Sequence, residues 1–464
     1  MKVLFAVRSG GQFLYFKSII EALCKKGHAV RLIFDPGWTK ETSISKLQNF
    51  RNSFAGFSFG KALRRNDFSR KILFHIREIR TYRSYLRKPR KNLRVAYQER
   101  WRRYLPHALR ALFIYKLPRV FLANGLPGFV LDSLENFFRP DPKIIDDIKA
   151  FGPDVVLASP VNMRFSSADL EYLKAAKYLG IPTVIPVFSW DNLTTKGLYH
   201  VLPNILLVWN NAHAKEALAH QGMPPEKIKI IGAPLFDEWF LNPPGGRAGN
   251  KPASSRADFC GKFGLREKDH ILLYLGSSKN IASDESWLVA DLRKALDNAK
   301  EPALRNAQII IRPHPANSDI YENLKLNDVF IIPKKGTLPD TDDALQIFRG
   351  SLEHSAAVFN INTSAMIEAI IVGKPLIALV TEKYKDAQMD MEYFRQLITT
   401  DAAALAKSPE EAVEITAQIL AGHDTRIENR KNFVREFIRP NGLDKSAGEC
   451  AAEEIEKLAN YFRR

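Results

Sequence analysis

Cysteine and long apolar runs are scarce in this chain of 464 residues, acid is scarce in one segment of it, and the first two scarcities each exclude a class of protein. The three cysteines, Cys24, Cys260 and Cys450, are odd in number and far apart. They offer neither a disulfide framework nor a metal-ligand spacing, and a reducing compartment is the natural inference. The chain has no run of about eighteen apolar residues, and Met1-Lys2-Val3-Leu4-Phe5-Ala6-Val7-Arg8 meets Arg8 too soon for a signal-peptide apolar region. The expectation is a cytoplasmic protein that is not integral to a membrane. Acids are nearly missing between Lys61 and Val120, where nineteen Lys or Arg face only Asp67, Glu78 and Glu99. That segment therefore carries +16 of a formal net charge of +17.

What is present is ample apolar content, 45%, on a chain too long for one ordinary core. Two domains of roughly 200 residues each are expected. Among the cations of the basic segment stand Phe68, Phe74, Tyr82, Tyr85, Leu86, Tyr97, Trp101, Tyr104, Leu105 and Phe113. Basic amphipathic helices rich in aromatics suit an anionic membrane surface, so a peripheral position at the inner face of the cell membrane is expected. Nucleic acid is the disfavoured partner, because no nucleic-acid motif accompanies the patch. A solvated helical insertion stays open as the third reading.

The rest alternates strand and helix. Strands are predicted at Lys2–Val7, Ala29–Phe34, Asp154–Ala158, Thr183–Val187, Ile205–Val208 and Ile228–Ile231, with helices at about 13–26, 143–151, 166–179 and 212–221. Such alternation predicts a doubly wound parallel sheet, with the basic segment interrupting it until about Pro140. Residues 242–257, rich in Pro, Gly and Ser, read as an exposed linker. Beyond it the pattern restarts with strands Ile271–Leu275, Gln308–Ile311, Ala356–Ile361 and Leu376–Val380, a helix at about 284–298, and helices over 408–464. The expected fold class is therefore α/β, two doubly wound Rossmann-like domains (1–241 and 258–464) facing across a cleft, with a basic helical insertion at about 60–120 in the first.

Chemistry-bearing residues collect at strand-to-helix turns. Asn362, Thr363 and Ser364 open a helix whose dipole and N–H groups favour phosphate, and Glu368, at i+4 from Ser364, could accept ribose hydroxyls. An ordinary helix cap with a first-turn acid is the plain alternative. Gly276 would let backbone approach a ligand, with Ser277 and Ser278 donating. In Arg312-Pro313-His314-Pro315 two prolines fix a cation and an imidazole where a departing diphosphate gains charge. In the first half, Ser189-Trp190-Asp191-Asn192 with Lys196 forms a polar turn beside an indole. There Asp191 is the candidate general base, its proton affinity raised beside Trp190, and an Asx-type turn is the alternative. Gln388 lies in a polar loop that could face the acceptor.

These residues resemble the GT-B glycosyltransferase superfamily, in the branch of UDP-N-acetylglucosamine 2-epimerases and CDP-glycerol glycerophosphotransferases. The likeness rests on the Arg-Pro-His-Pro turn at 312–315, on Ser364, Glu368, Ala369, Gly373 and Pro375, and on Lys196 and Gly197 after the first-domain turn. It implies His314 and Arg312 on the donor diphosphate, Ser364 on phosphate and Glu368 on ribose. A His-Gly turn of the glycerophosphotransferases is replaced here by Ser189-Trp190-Asp191-Asn192, and the epimerases' basic motif is replaced by Gly276-Ser277-Ser278-Lys279. The expected activity is transfer of a sugar, with inversion, from a nucleotide-diphosphate sugar to a cell-surface glycan or glycolipid. Asp191, His314 and Arg312 would be catalytic, and no metal or cofactor is expected because no Asp-x-Asp pair marks either turn. A CDP-glycerol-type phosphotransferase and a non-catalytic nucleotide- or polyanion-binding protein are the alternatives.

Overall fold

The computed structural model describes residues 1–125, 127–159, 161–163, 168–241, 254–339 and 341–463. The chain divides into two compact units, one of residues 1–237 with 437–464, the other of residues 238–436.

The first unit is built on a seven-stranded parallel sheet, β1 (Lys2–Val7), β2 (Ala29–Phe34), β3 (Phe57–Lys61), β4 (Val155–Ser159), β5 (Thr183–Pro186), β6 (Ile205–Val208) and β7 (Ile228–Ile230), in the order β3-β2-β1-β4-β5-β6-β7. Side chains alternate across a strand, so β1 serves two cores. Val3, Phe5 and Val7 pack with the helix Phe13–Lys25 on one face, while Leu4 and Ala6 pack with Ile144, Ile148 and Tyr172 on the other. The second unit holds a six-stranded parallel sheet, β8 (Ile271–Leu275), β9 (Gln308–Arg312), β10 (Val329–Ile331), β11 (Ser355–Asn360), β12 (Leu376–Leu379) and β13 (Ala404–Ala406), in the order β10-β9-β8-β11-β12-β13.

Two features of the division differ from expectation. The range 242–257 does not divide the units: residues 242–253 lie outside the described residues, and Arg256 already begins a helix, Arg256–Phe263, capped by Ser255. The last helix, Ala447–Arg463, belongs to the first unit and not to the second. Cys450, Ala451, Ala452 and Ile455 join the core around Phe16 and Ile20, and the Asp237 carboxylate accepts from the N–H groups of Ala447 (3.1 Å) and Gly448 (2.8 Å) and pairs with Arg439 (3.1 Å).

The insertion follows β3 and is itself a folded helical layer, with helices Ser69–Leu86, Val95–Tyr104, His107–Leu112, Lys116–Val120 and Gly128–Phe137. Its aromatics point mostly inward, contrary to a membrane-facing reading. Tyr82, Tyr85, Tyr97, Trp101, Leu105 and Phe113 are buried, with Tyr82 against Phe113 (5.6 Å between centroids) and Tyr85 against Trp101 (6.2 Å). Several of its cations are also consumed internally. Buried Arg77 pairs with Glu135 (2.7 Å) and Glu171 (2.8 Å) and Arg65 with Glu171 (3.2 Å), while Lys174, from the helix Ala168–Tyr178, also reaches Glu135 (2.9 Å). Taking this many charges from water is tolerable only because each finds an opposite partner. Among the described residues no helix is long and apolar enough to cross a membrane.

Candidate functional site

In the second sheet the chain runs from β8 outward through β9 and β10, then returns to the other side of β8 as β11. Open parallel sheets bind ligands at such a reversal, outside the carboxyl ends of the strands. Register brings the candidates together there, because Leu275 on β8 is opposite both Arg312 at the end of β9 and Asn360 at the end of β11.

Arg312 is buried, its guanidinium 4.3 Å from the ring centroid of Phe348, with Nη2 donating to the Thr337 carbonyl (3.1 Å). Its Nη1 is buried without a partner among the described residues, and burial lowers the guanidinium to about 10, the charge of Glu368 opposing that shift. Glu368 is half-buried in the short helix Ala365–Ile371. Burial pushes its carboxyl up to about 7 against the pull of Arg312, and its Oε2 also lacks a partner among the described residues. His314 accepts the N–H of Ala316 at Nδ1 (3.0 Å), and burial lowers its proton affinity. The neutral ring therefore carries its hydrogen on Nε2 as a donor. Ser364 is exposed and its side chain makes no capping bond, and Thr363 beside it is half-buried.

The turn after β8 works differently from the sequence expectation. A Cβ at Gly276 would lie 3.1 Å from the His314 nitrogen and 3.2 Å from the Arg312 carbonyl, so glycine here admits the neighbouring turn and not a ligand. Ser277 is fully buried, its N–H donating to Glu285, and its hydroxyl accepts from Asn362 N–H (3.5 Å). It is a tie between turns, and only Ser278 is partly exposed. Asn362 and Gln388 are ties as well. The amide of Asn362 donates to the Ala387 carbonyl (2.7 Å) and Tyr393 hydroxyl (3.2 Å), and that of Gln388 to the carbonyls of Ile361 (2.8 Å) and Leu379 (2.9 Å).

In the first unit, Asp191 contradicts the expected raised proton affinity. Its carboxylate accepts from Ser189 Oγ (2.6 Å), Thr195 Oγ1 (2.8 Å) and Lys196 Nζ (3.1 Å). Burial alone would raise it, but Lys196 and these donors bring it down to about 2. Asn192 is buried against Asn162 and Tyr199, Trp190 is buried, and the insertion clamps the turn from outside. Tyr85 donates to the carbonyls of Thr194 and Lys196 (both 2.8 Å), and Arg90 to those of Leu193 (3.1 Å) and Lys196 (2.8 Å). The Asp191 carboxylate is closed off by the hydroxyls of Ser189 and Thr195 and by Lys196, and among the described residues it accepts no backbone N–H of the kind an Asx-type turn requires. A folded value below the ordinary 3.8 means stability present above pH 3.8 and lost as pH falls through about 2. Asp191→Asn should thus lower stability by about 2 kcal/mol at pH 7, the difference from wild type shrinking at pH 3 in denaturant titrations.

No protein-family model matches the chain, and no curated protein matches it in sequence. Solved structures do. A Listeria monocytogenes protein assigned as a UDP-N-acetylglucosamine 2-epimerase superposes with a TM-score of 0.56 at 12% identity, covering 100% of this chain and 97% of the other. The S. aureus MnaA–UDP structure gives 0.54 at 12%, covering 100% and 98%. Arabidopsis thaliana UGT89C1, complexed with UDP, gives 0.50 at 12%, covering 98% and 99%. The fold is GT-B.

At this identity the likeness establishes the GT-B fold alone. Within it, the candidate that sequence reasoning missed is Asn360. It is fully buried at the reversal point, and neither its Oδ1 nor its Nδ2 has a partner among the described residues. The available signal was a polar residue closing an otherwise apolar strand. Among the described residues no group of three or more His, Cys, Asp or Glu side chains is placed to hold a metal ion.

Proposed function

We propose that this chain is a glycosyltransferase that takes its sugar from a nucleotide-diphosphate donor seated at the carboxyl end of the second sheet. One observation carries the reading. Arg312 and Glu368, charges that act on each other at the chain-reversal point, each keep a buried polar atom that nothing among the described residues satisfies. Native proteins leave such atoms where a ligand supplies the missing partner. Arg312 Nη1 and the Nε2–H of neutral His314 would meet the diphosphate, stabilising charge as it leaves. Glu368 would accept ribose hydroxyls. In this reading cationic and dipolar groups neutralise the leaving group, the sugar is displaced directly with inversion, and no metal or cofactor is required. Asp191, pinned by three donors, orients its turn.

The solved relatives named above are described as an epimerase in one case and as UDP complexes in the other two, which favours a uridine donor and keeps 2-epimerisation as the second reading. A thermal-shift panel of UDP, GDP, CDP, CMP and dTDP tests the seat, since a ligand at 100 times its dissociation constant stabilises by about 2.7 kcal/mol. No shift with any of them sinks the proposal. Incubation with UDP-N-acetylglucosamine alone then separates the readings, a 2-epimer in the NMR spectrum replacing transfer by epimerisation. CDP-glycerol turnover would replace both.

The acceptor is proposed to be a glycan or glycolipid of the cell envelope, met at an anionic membrane surface. The apolar contact comes from beyond the inward-facing aromatics. Leu117 is 82% exposed, Phe129 70% and Phe137 78%, with Ile114, Tyr115 and Phe121 also exposed beside Arg103 and Lys116. Apolar side chains displayed among cations suit a lipid interface. Leu117→Ser with Phe121→Ser and Phe129→Ser should reduce co-sedimentation with phosphatidylglycerol vesicles at least about tenfold, since each side chain buried contributes about 1.5–3 kcal/mol. Unchanged sedimentation would remove the membrane from the proposal.

A further inference from the structure

The first unit encloses a cavity of about 1160 Å³ between the insertion and the carboxyl end of its sheet. It is larger than the roughly 300–1,000 Å³ of ordinary small-molecule sites. The helix Ser69–Leu86 forms one wall, the turn after β2 another, and Asn162, Gly197 and His200 the floor. The architecture holds this space open. Arg77 and Arg65, joined to Glu135 and Glu171, pin the insertion helix onto the helix Ala168–Tyr178, and Arg65, Arg77 and Glu171 form part of the cavity wall. A Cβ at Gly197 would lie 2.9 Å from the Asn162 carbonyl and 3.3 Å from Trp101, so only glycine closes the floor in this way.

Its chemistry is sorted by exposure. The buried cations are paired with carboxylates, and Arg64 is likewise paired with Asp35. Arg70 and Lys71 are exposed and form no ion pair among the described residues. Half-buried His200 is held neutral, its proton affinity pushed well down by burial and by Arg80, Arg77 and Arg90. Its Nδ1 is buried without a partner among the described residues, while Nε2 lies 3.4 Å from Thr81 Oγ1. Trp38, with Arg8 4.2 Å from its ring centroid on one face, Phe68 and Phe74 supply aromatic surface. Flat aromatic faces suit the C–H faces of sugar rings, a neutral imidazole suits a hydroxyl, and exposed, unpaired cations suit a carboxylate or phosphate left near water.

We propose that this cavity binds a saccharide bearing acidic groups, its rings against the aromatic walls and an anion at Arg70 and Lys71. The proposal rests on the glycosyl-transfer reading and names the substrate class that reading leaves open.

Calorimetry with oligogalacturonate, a neutral maltooligosaccharide and polyphosphate tests it on the full chain. Oligogalacturonate should bind, the neutral sugar more weakly. Trp38→Ala and the pair Arg70→Glu with Lys71→Glu should each weaken oligogalacturonate about tenfold or more. Polyphosphate should not respond to Trp38→Ala. These side chains are exposed, and an unchanged melting temperature verifies the fold of each variant. Absence of oligogalacturonate binding overturns the inference, as does binding that ignores Trp38→Ala, which marks surface polyanion attraction only. UDP affinity measured on the same samples separates the two proposals: retained UDP binding without saccharide binding sinks only this one, and lost UDP binding in the wild type sinks the donor-seat reading.

Discussion

Arg312→Met should weaken nucleotide-sugar binding about 30- to 150-fold and leave the melting temperature nearly unchanged. The affinity loss corresponds to about 2–3 kcal/mol, the range for hydrogen bonds that involve a charged group. The small effect on stability follows from how the guanidinium is held. It donates to the Thr337 carbonyl and rests on Phe348, but burial works against its charge and Nη1 has no partner among the described residues. Removing one member of a buried ion pair ordinarily costs about 3–5 kcal/mol because the other charge is stranded. Here Glu368 titrates near 7 even with Arg312 present, so it escapes by taking a proton. Isothermal titration with UDP-N-acetylglucosamine and calorimetric melting read both quantities. Unchanged affinity would move the donor away from β9.

Nucleotide-sugar affinity should rise about tenfold between pH 6 and pH 8, and this rise should vanish in Glu368→Gln. The folded carboxyl titrates at about 7, above its ordinary 4.5. The folded state thus holds the proton more tightly than the unfolded chain. The stability from that proton is fully present below pH 4.5 and is lost as pH rises through about 7, on the order of 3 kcal/mol in all for the ligand-free protein. Ribose hydroxyls donate to the ionised carboxylate, so binding favours the deprotonated form and releases a proton. A nucleotide sugar is the suitable ligand, because its diphosphate does not titrate in this window. Titrations in buffers of different ionisation enthalpy should report the released proton, and an affinity flat across the window would place Glu368 away from the ribose.

Most of the strands and the doubly wound pattern were legible because β1, β2, β6 and β8 are buried apolar runs bounded by turns. Three strands were not. β3 is an edge strand interrupted by Gly60, β10 has three residues before a proline, and β13 lies in an alanine-rich stretch that reads as helix. Arg312, His314 and Glu368 could be singled out as candidates because Arg312 and His314 stand at the end of an apolar strand and Glu368 lies one turn inside the helix that follows β11. Asp191 and Ser277 were misjudged for one common reason. Residue types announce chemistry, but whether a carboxylate or hydroxyl is free depends on partners such as Lys196 and Glu285, supplied by three-dimensional closure. The inward packing of Tyr85 and Trp101 was hidden likewise, since an aromatic among cations looks the same in sequence whether it faces lipid or its own core.

The return of the last helix to the first unit sets an order of synthesis. Domains generally fold as they leave the ribosome, the amino-terminal one first. Here residues 1–237 emerge first but lack the helix Ala447–Arg463, whose Ile455 fills their core and whose first N–H groups satisfy Asp237. A Cβ at Gly448 would overlap the Ser18 carbonyl, so the seam between first and last helices is tight. The nascent first half therefore waits with an apolar groove along Phe13–Lys25 while residues 238–436 fold as a finished unit. The helix Ala447–Arg463, made after residues 238–436, completes the first sheet's core.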